Sequence, residues 1–305
     1  MAAFLSVNKL GKKINNVNLL ADLSFGIQKG ELLFLLGKSG SGKSTLLKIL
    51  IGFIKKDRGQ IFVDGLDYDI RNEEIIKKIG YVSENDIFDT DLTVNENLLF
   101  SAELNNCNPI KIQEKINYWS KRLGFSRNLN LKINNINNST LRKISFTRTL
   151  IHNPEVILFD DFTSSMDLYD QSLIFEIIKE IKNDKSILFA TNDLSLPELF
   201  SDRIIIIDNG SVTFNGTINN LESKINDSFK YRFTFKRIVP NEFLKALKNN
   251  DKIKNVTSRD CDVQILTSDK IEFFKIFKLA ANYELIDIKI SDSKVSELFQ
   301  RLTNS

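Results

Sequence analysis

Residues 37–45, GKSGSGKST, put glycines at 37, 40 and 42 among small hydroxyl residues and end in Lys43, Ser44 and Thr45. Gly37, Gly42, Lys43 and Ser44 satisfy the spacing G-x-x-x-x-G-K-[ST]. Glycines at those places let the backbone wrap a triphosphate closely enough for N–H groups and the following helix N-terminus to point at its oxygens. Ser39, Gly40 and Thr45 complete that cradle, Lys43 would reach the β and γ phosphates, and Ser44 would hold Mg2+. The same chemistry asks for a carboxylate beside the metal. VILFDD, residues 156–161, supplies one, because four apolar residues make a buried strand that delivers Asp160 to its end.

These residues need a frame. ELLFLL before the glycine loop reads as a buried strand and LLKILIGFI after it as a helix; PEVILFDD, SILFATND and RIIIIDNGSV read as further buried strands. Fully apolar strands separated by helical stretches such as YDQSLIFEIIKEIKN imply a mostly parallel sheet covered on both faces. Between the loop and the second buried strand, LTVNENLLFSAELNNCNPIKIQEKINYWSKRLGF carries apolar residues at helical spacing and reads as a helical insertion, about 92–150. After about residue 225 the pattern changes to strand, helix, strand, strand, helix, strand (FKYRFTFK, PNEFLKALKNN, KIKNVTSR, CDVQILT, DKIEFFKIFKLAANY, ELIDIKI), the ferredoxin-like order. In its second helix Phe273, Ile276, Phe277 and Ala280 share one face and read as core.

Composition narrows the class. The 305 residues are 42% hydrophobic and 27% charged, enough for one sizeable α/β domain and a smaller one. With 42 basic against 39 acidic residues, the net charge of +3 is too balanced to make nucleic acid the main partner. Cys107 and Cys261 form no metal or redox spacing and suit a reducing compartment. The start MAAFLSVNKLGKK lacks a secretory pattern, and no apolar run approaches the roughly 20 residues of a membrane helix.

In order and spacing, GKSGSGKST, IGYVSEND…LTVNENL, INNSTLRKISFTRTLIHNPEVILFDDFTSSMD and ILFATNDLSLPELFSDRIIIIDNGSVTFNGT resemble the nucleotide-binding subunit of an ABC transporter, over roughly residues 4–220. The resemblance implies an ABC-type P-loop NTPase domain at 1–224, with N-terminal antiparallel strands, a mostly parallel sheet and the helical insertion. The remainder, 225–305, would be a small α+β ferredoxin-like domain similar to that of ATPases serving exporters of drugs, polysaccharides or peptides. It further implies ATP and Mg2+ as ligands, a membrane permease as partner, a homodimer or heterodimer of nucleotide-binding subunits with Asp167 in the interface loop, and a peripheral place on the cytoplasmic face of the cell (inner) membrane. In such dimers each ATP lies between the loop of one subunit and the signature of the other.

Against that family the chain departs where nucleotide is touched. The signature LSGGQ falls on Ile136, Asn137, Asn138, Ser139 and Thr140, so the two glycines that admit a facing phosphate are gone and Asn138 and Ser139 read as helix caps. Ser139 or Thr140 remains available for a weaker phosphate contact. Asp161 replaces the catalytic glutamate one methylene short, Asn192 replaces the switch histidine, and Glu84 replaces a loop glutamine that meets Mg2+ or the attacking water. Leu10 stands where an aromatic residue would stack on adenine. His152 is the sole histidine and reads as structural. The expectation is a subunit that binds Mg-ATP and hydrolyses it slowly or not at all, with both kinds of composite site impaired. The alternatives are a working transport ATPase in which Asp161 or Glu84, beside Lys43, places the water, and a structural module with an empty site. A soluble ATPase of translation or DNA repair fits less well, because a second nucleotide domain and a long coiled coil are absent from the sequence.

Overall fold

The computed structural model describes residues 3–83, 87–105, 107–222, 229–267, 272–290 and 299. The chain divides into two compact units, between Ile218 and Asn219.

In the first unit, half-apolar segments build an antiparallel layer and fully apolar ones the central sheet. The elements run β1 (Leu5–Ile14), β2 (Val17–Ile27), β3 (Leu32–Leu36), α1 (Lys43–Leu50), β4 (Arg58–Val63), β5 (Leu66–Asp67), α2 (Tyr68–Lys77) and β6 (Ile79–Val82). There follow α3 (Val94–Leu104), α4 (Pro109–Arg122), α5 (Asn138–Ile151), β7 (Val156–Asp160), α6 (Leu168–Ile181), β8 (Ser186–Thr191), α7 (Leu196–Phe200), β9 (Arg203–Asp208) and β10 (Ser211–Gly216). β2-β1-β4-β5 form one sheet and β10-β9-β3-β8-β7-β6 the other. The second is parallel except for β10, which returns antiparallel on β9. Helix α3 begins at a capping box in which Thr93 and Glu96 satisfy one another's backbone donors.

Alternation along the buried strands sends side chains to two cores. Leu33 and Leu35 of β3, Leu158 of β7 and Leu188 of β8 join the apolar side chains of α1 and the antiparallel layer. The opposite face carries a ladder of rings. Phe34, Phe189 and Phe159 are register partners on neighbouring strands, with ring centroids 5.1 and 5.0 Å apart. Phe146 of α5, Phe162 and Phe175 of α6 close over that ladder, and all six rings are fully buried. Interlocked rings of this kind fix β3, β8 and β7 side by side, so their carboxyl ends open together.

The second unit is strand β11 (Phe229–Phe235), helix α9 (Asn241–Lys248), β12 (Ile253–Arg259), β13 (Asp262–Thr267), α10 (Glu272–Ala280) and β14 (Leu285–Ile290), preceded at the division by α8 (Ile218–Glu222). All neighbours in its sheet, β12-β13-β11-β14, are antiparallel, which is the ferredoxin-like arrangement. Tyr231, Phe233 and Phe235 alternate into a core with Phe243, Leu247, Val263, Ile265, Ile276 and Ala280. Phe277 departs from the sequence expectation: it is 41% exposed, because its position turns it off the stripe that Ile276 and Ala280 bury. The side chain of Phe273 lies outside the described residues.

Candidate functional site

The glycine loop leaves β3 and enters α1 at the centre of the parallel sheet, and β7 and β8 end beside it. Gly42, at φ 104, is the N-cap of α1 and offers no side chain to that helix end. A Cβ at Gly42 would meet the Leu19 carbonyl and the Leu20 side chain at 2.7 Å, and a φ in the left-handed region disfavours other residues there in any case. At Gly37 a Cβ would fall 2.2 Å from Ser41 Oγ. Close approach of backbone on backbone therefore leaves the first turn of α1 open for an anion.

Lys43 is buried at 7% exposure, and its ammonium donates to Gly37 O at 2.6 Å, Lys38 O at 3.1 Å and Asn192 Oδ1 at 2.7 Å. All three acceptors are neutral. Burial pushes the Lys43 ammonium below its usual range, while the charges of Asp161 and then Asp160 pull it back up. Ser41 Oγ is buried at the same loop with no hydrogen-bond partner among the described residues. An inward cation held on neutral oxygens, an orphaned hydroxyl and an open helix N-terminus fit a triphosphate.

Asp160, 6% exposed at the end of β7, accepts from Ser44 Oγ at 2.9 Å on one oxygen and from the Tyr81 hydroxyl at 3.0 Å on the other. Ser44 and Asp160 are thus adjacent and suited to hold Mg2+ together. No group of three or more His, Cys, Asp or Glu that could form a closed metal cage occurs among the described residues. An ion shared between this pair and phosphate oxygens is the form such a site takes.

Asp161 follows in the left-handed region at φ 45, its N–H donating to Ala190 O at 2.9 Å. Thr191 Oγ1, on the buried end of β8, reaches Asp161 Oδ1 at 3.3 Å. Asn192 comes next on the chain and is exposed apart from its contact with Lys43. Glu84 lies outside the described residues. The Ser83 carbonyl before it accepts from Arg142 Nη1 at 2.9 Å, so α5 is tied to that loop.

The residues at the signature positions take a different arrangement from the one expected. The N-cap of α5 is Asn137, whose side chain accepts from Thr140 N at 2.8 Å, one residue before the caps read from sequence; Asn138 and Ser139 are already helical. Ile136 is buried at 9% exposure and seats the turn, while Asn138 is exposed. Ser139 Oγ donates to Asp170 Oδ2, and Lys143 pairs with Asp170 Oδ1 at 3.0 Å. Asp167 caps α6 by accepting from Asp170 N at 2.8 Å.

Leu10 cannot be a platform for a base, because it is fully buried in the antiparallel layer. The exposed apolar residues of that hairpin are Ile14 and Val17, at 40% and 60% exposure. Tyr81 and Thr191 were not picked out from sequence. A hydroxyl on an apolar strand carries no spacing signal, and only pairing of β6, β7 and β8 shows what it reaches.

A family model described as ABC transporter matches residues 20–164. The chain is 30% identical over 226 residues to the ABC transporter ATP-binding protein NatA of Bacillus subtilis, covering 73% of this chain and 92% of NatA. The chain belongs to the ABC transporter ATP-binding family. Among solved structures it is similar to an ATP-binding subunit of an ABC transporter, with a TM-score of 0.69 and 23% identity over 73% of this chain and 93% of the other. It is also similar to MJ0796, a bacterial ABC transporter cassette solved as a dimer, with a TM-score of 0.65 and 24% identity over 70% and 98% of the two chains. The first unit therefore has the ABC-type P-loop NTPase fold, and the chain is a nucleotide-binding subunit of this family.

Proposed function

We propose that this subunit binds Mg-ATP at Lys43, Ser44 and Asp160, turns it over slowly or not at all, and controls a membrane permease of the exporter type through ATP-dependent pairing of nucleotide-binding subunits. Pairing with a second copy or with a related subunit fits this reading equally. The chain would sit peripherally on the cytoplasmic face of the cell membrane. No helix among the described residues is long and apolar enough to cross a membrane. The observation that carries the reading is a phosphate cradle built to close tolerances beside a hydrolytic side that lacks its usual groups.

The chain's own residues account for both halves. Entry of a γ phosphate gives the Lys43 ammonium a charged partner in place of the Asn192 amide oxygen, which favours binding in a buried site. Mg2+, when bound, would neutralise charge across the β and γ oxygens. Ser44 and Asp160 would hold it, with the Tyr81 hydroxyl keeping the second Asp160 oxygen in place. Asp161 would have to orient water from a side chain one methylene short, and a displacement near 1 Å can cost roughly 100-fold in rate. Asn192 cannot take up a proton as a switch histidine could. On the other hairpin, Ile14 and Val17 would offer an aliphatic rather than an aromatic surface to the base.

One contact favours faster turnover instead. Thr191 holds Asp161 Oδ1, and a fixed carboxylate is what a water-positioning base needs. The deciding experiment is Mg-ATP turnover by the complex isolated from its membrane through a tag on this chain, beside Lys43→Ala and Asp161→Asn. We expect turnover at or below about one per minute against an enzyme median near 10 per second, and bound ATP lost only in Lys43→Ala. Rapid turnover abolished by Asp161→Asn would establish a working transport ATPase. Unchanged nucleotide binding and assembly in Lys43→Ala would refute both.

A further inference from the structure

Helix α5 opens with Asn-Ser-Thr-Leu-Arg-Lys, which places Ser139 and Lys143 four residues apart and hence on one face. Helix α6 opens at Asp167 and presents Asp170 on its first turn. The two faces meet. Asp170 is 6% exposed, takes the Ser139 hydroxyl on one oxygen and the Lys143 ammonium at 3.0 Å on the other, and receives the Asp167 cap on its own N–H. A buried carboxylate with a hydroxyl and an ammonium on its two oxygens is fully satisfied, so it does not give up either donor without replacement.

This matters because Ser139 occupies the second glycine position of the signature. The only side-chain hydroxyl at the start of α5 besides Thr140 is thus spent within the chain, and the Asn137 side chain is spent on Thr140 N. The carboxylate also sets a negative charge beside the helix N-terminus that would face another subunit's nucleotide. Within the pair the two charges cancel, so the Lys143 ammonium that could draw a phosphate to this helix N-terminus is spent.

We propose that Asp170 is a positioning residue that holds this face closed to the terminal phosphate of ATP carried by a facing copy of the chain. It withholds the Ser139 hydroxyl and cancels Lys143. The proposal rests on the reading of ATP-dependent pairing given above and adds the residue that weakens it.

The test uses the full chain with Mg2+ and a non-hydrolysable ATP analogue, reading self-association by sedimentation velocity and bound nucleotide by equilibrium dialysis. Asp170→Asn removes the charge and keeps the shape. Because Asp170→Asn leaves Lys143 unpaired, the double variant Lys143→Met with Asp170→Leu replaces the pair by apolar groups and guards against simple unfolding. We expect both to associate at least about tenfold more tightly than the parent with the ATP analogue, a change of about 1.4 kcal/mol, and no more tightly with ADP. A merely structural weld would instead lower association and melting temperature together. Unchanged or weaker association with the analogue still bound overturns the gate and leaves the proposed function standing. Failure of the parent to bind the analogue removes the proposed function and the gate with it.

Discussion

At the scale of single residues, the site depends on which side chains tolerate an unusual backbone. Asp161 sits at φ 45, a region that Asp and Asn enter more readily than longer residues. The shortened carboxylate and its conformation thus belong together. His152 is governed by burial instead. It closes α5 as C-cap, its Nδ1 is buried without a partner among the described residues, and burial lowers its pKa, helped by the charges of Lys185 and Lys115 and opposed by backbone hydrogen bonds. A histidine kept neutral by folding binds fewer protons than in the unfolded chain. Stability is therefore full above the unfolded value near 6.5 and falls as pH drops through it toward the lower folded value. The slope approaches about 1.4 kcal/mol per pH unit at most. Urea midpoints between pH 7.5 and 5.5 should fall more steeply for the parent than for His152→Gln, and parallel curves would show that the ring titrates normally. Lys43 and Ser44 were legible in sequence through the spacing of their loop, and Asp160 through the apolar strand that ends in it, a carboxylate that hydrogen-bonding geometry then sets beside Ser44 at 2.9 Å. Tyr81, Thr191 and the true cap Asn137 were not, since each acts through a partner distant in the chain or through a shift of one residue.

At the scale of elements, the strands were legible because a sheet covered on both faces needs unbroken apolar runs, and such runs stand out in VILFD, SILFAT and RIIIID. What the runs conceal is which of their residues aim the site. The register that sets Phe34, Phe189 and Phe159 in one row also sets Asp160 beside Ala190 and Leu36 beside Thr191, so ring packing on one side governs where the carboxylate ends up. Phe159→Ala should cost about 3–5 kcal/mol as a large-to-small core change and also weaken ATP binding, because Asp160 is the next residue. Chemical denaturation with nucleotide titration of the folded variant reads both effects. Lost stability with unaltered ATP affinity would show that Ser44 and Tyr81 alone hold Asp160.

At the scale of the molecule, each unit has its own sheets and apolar packing, the first with two sheets and cores at α1 and at the phenylalanine ladder, the second with one sheet around Phe233, Phe243 and Ile265. The alternation in FKYRFTF and the order of its elements made the second unit legible. The exposure of Phe277 is not visible in the sequence, because Phe277 and Ile276 are adjacent in a helix and only one of them can face the stripe centred on Ile276 and Ala280. Nucleotide binding acts only on the state that has the site. A ligand that binds the folded form stabilises it by about 2.7 kcal/mol at 100 times its dissociation constant, and every residue assigned to ATP lies before Asn219. Calorimetry of the full chain should resolve two transitions, with saturating Mg-ATP raising one and leaving the other in place. In Lys43→Ala both should stay where they are. A single transition that moves as a whole with Mg-ATP would mean that the two cores unfold as one cooperative body, and that nucleotide energy reaches the ferredoxin-like unit directly.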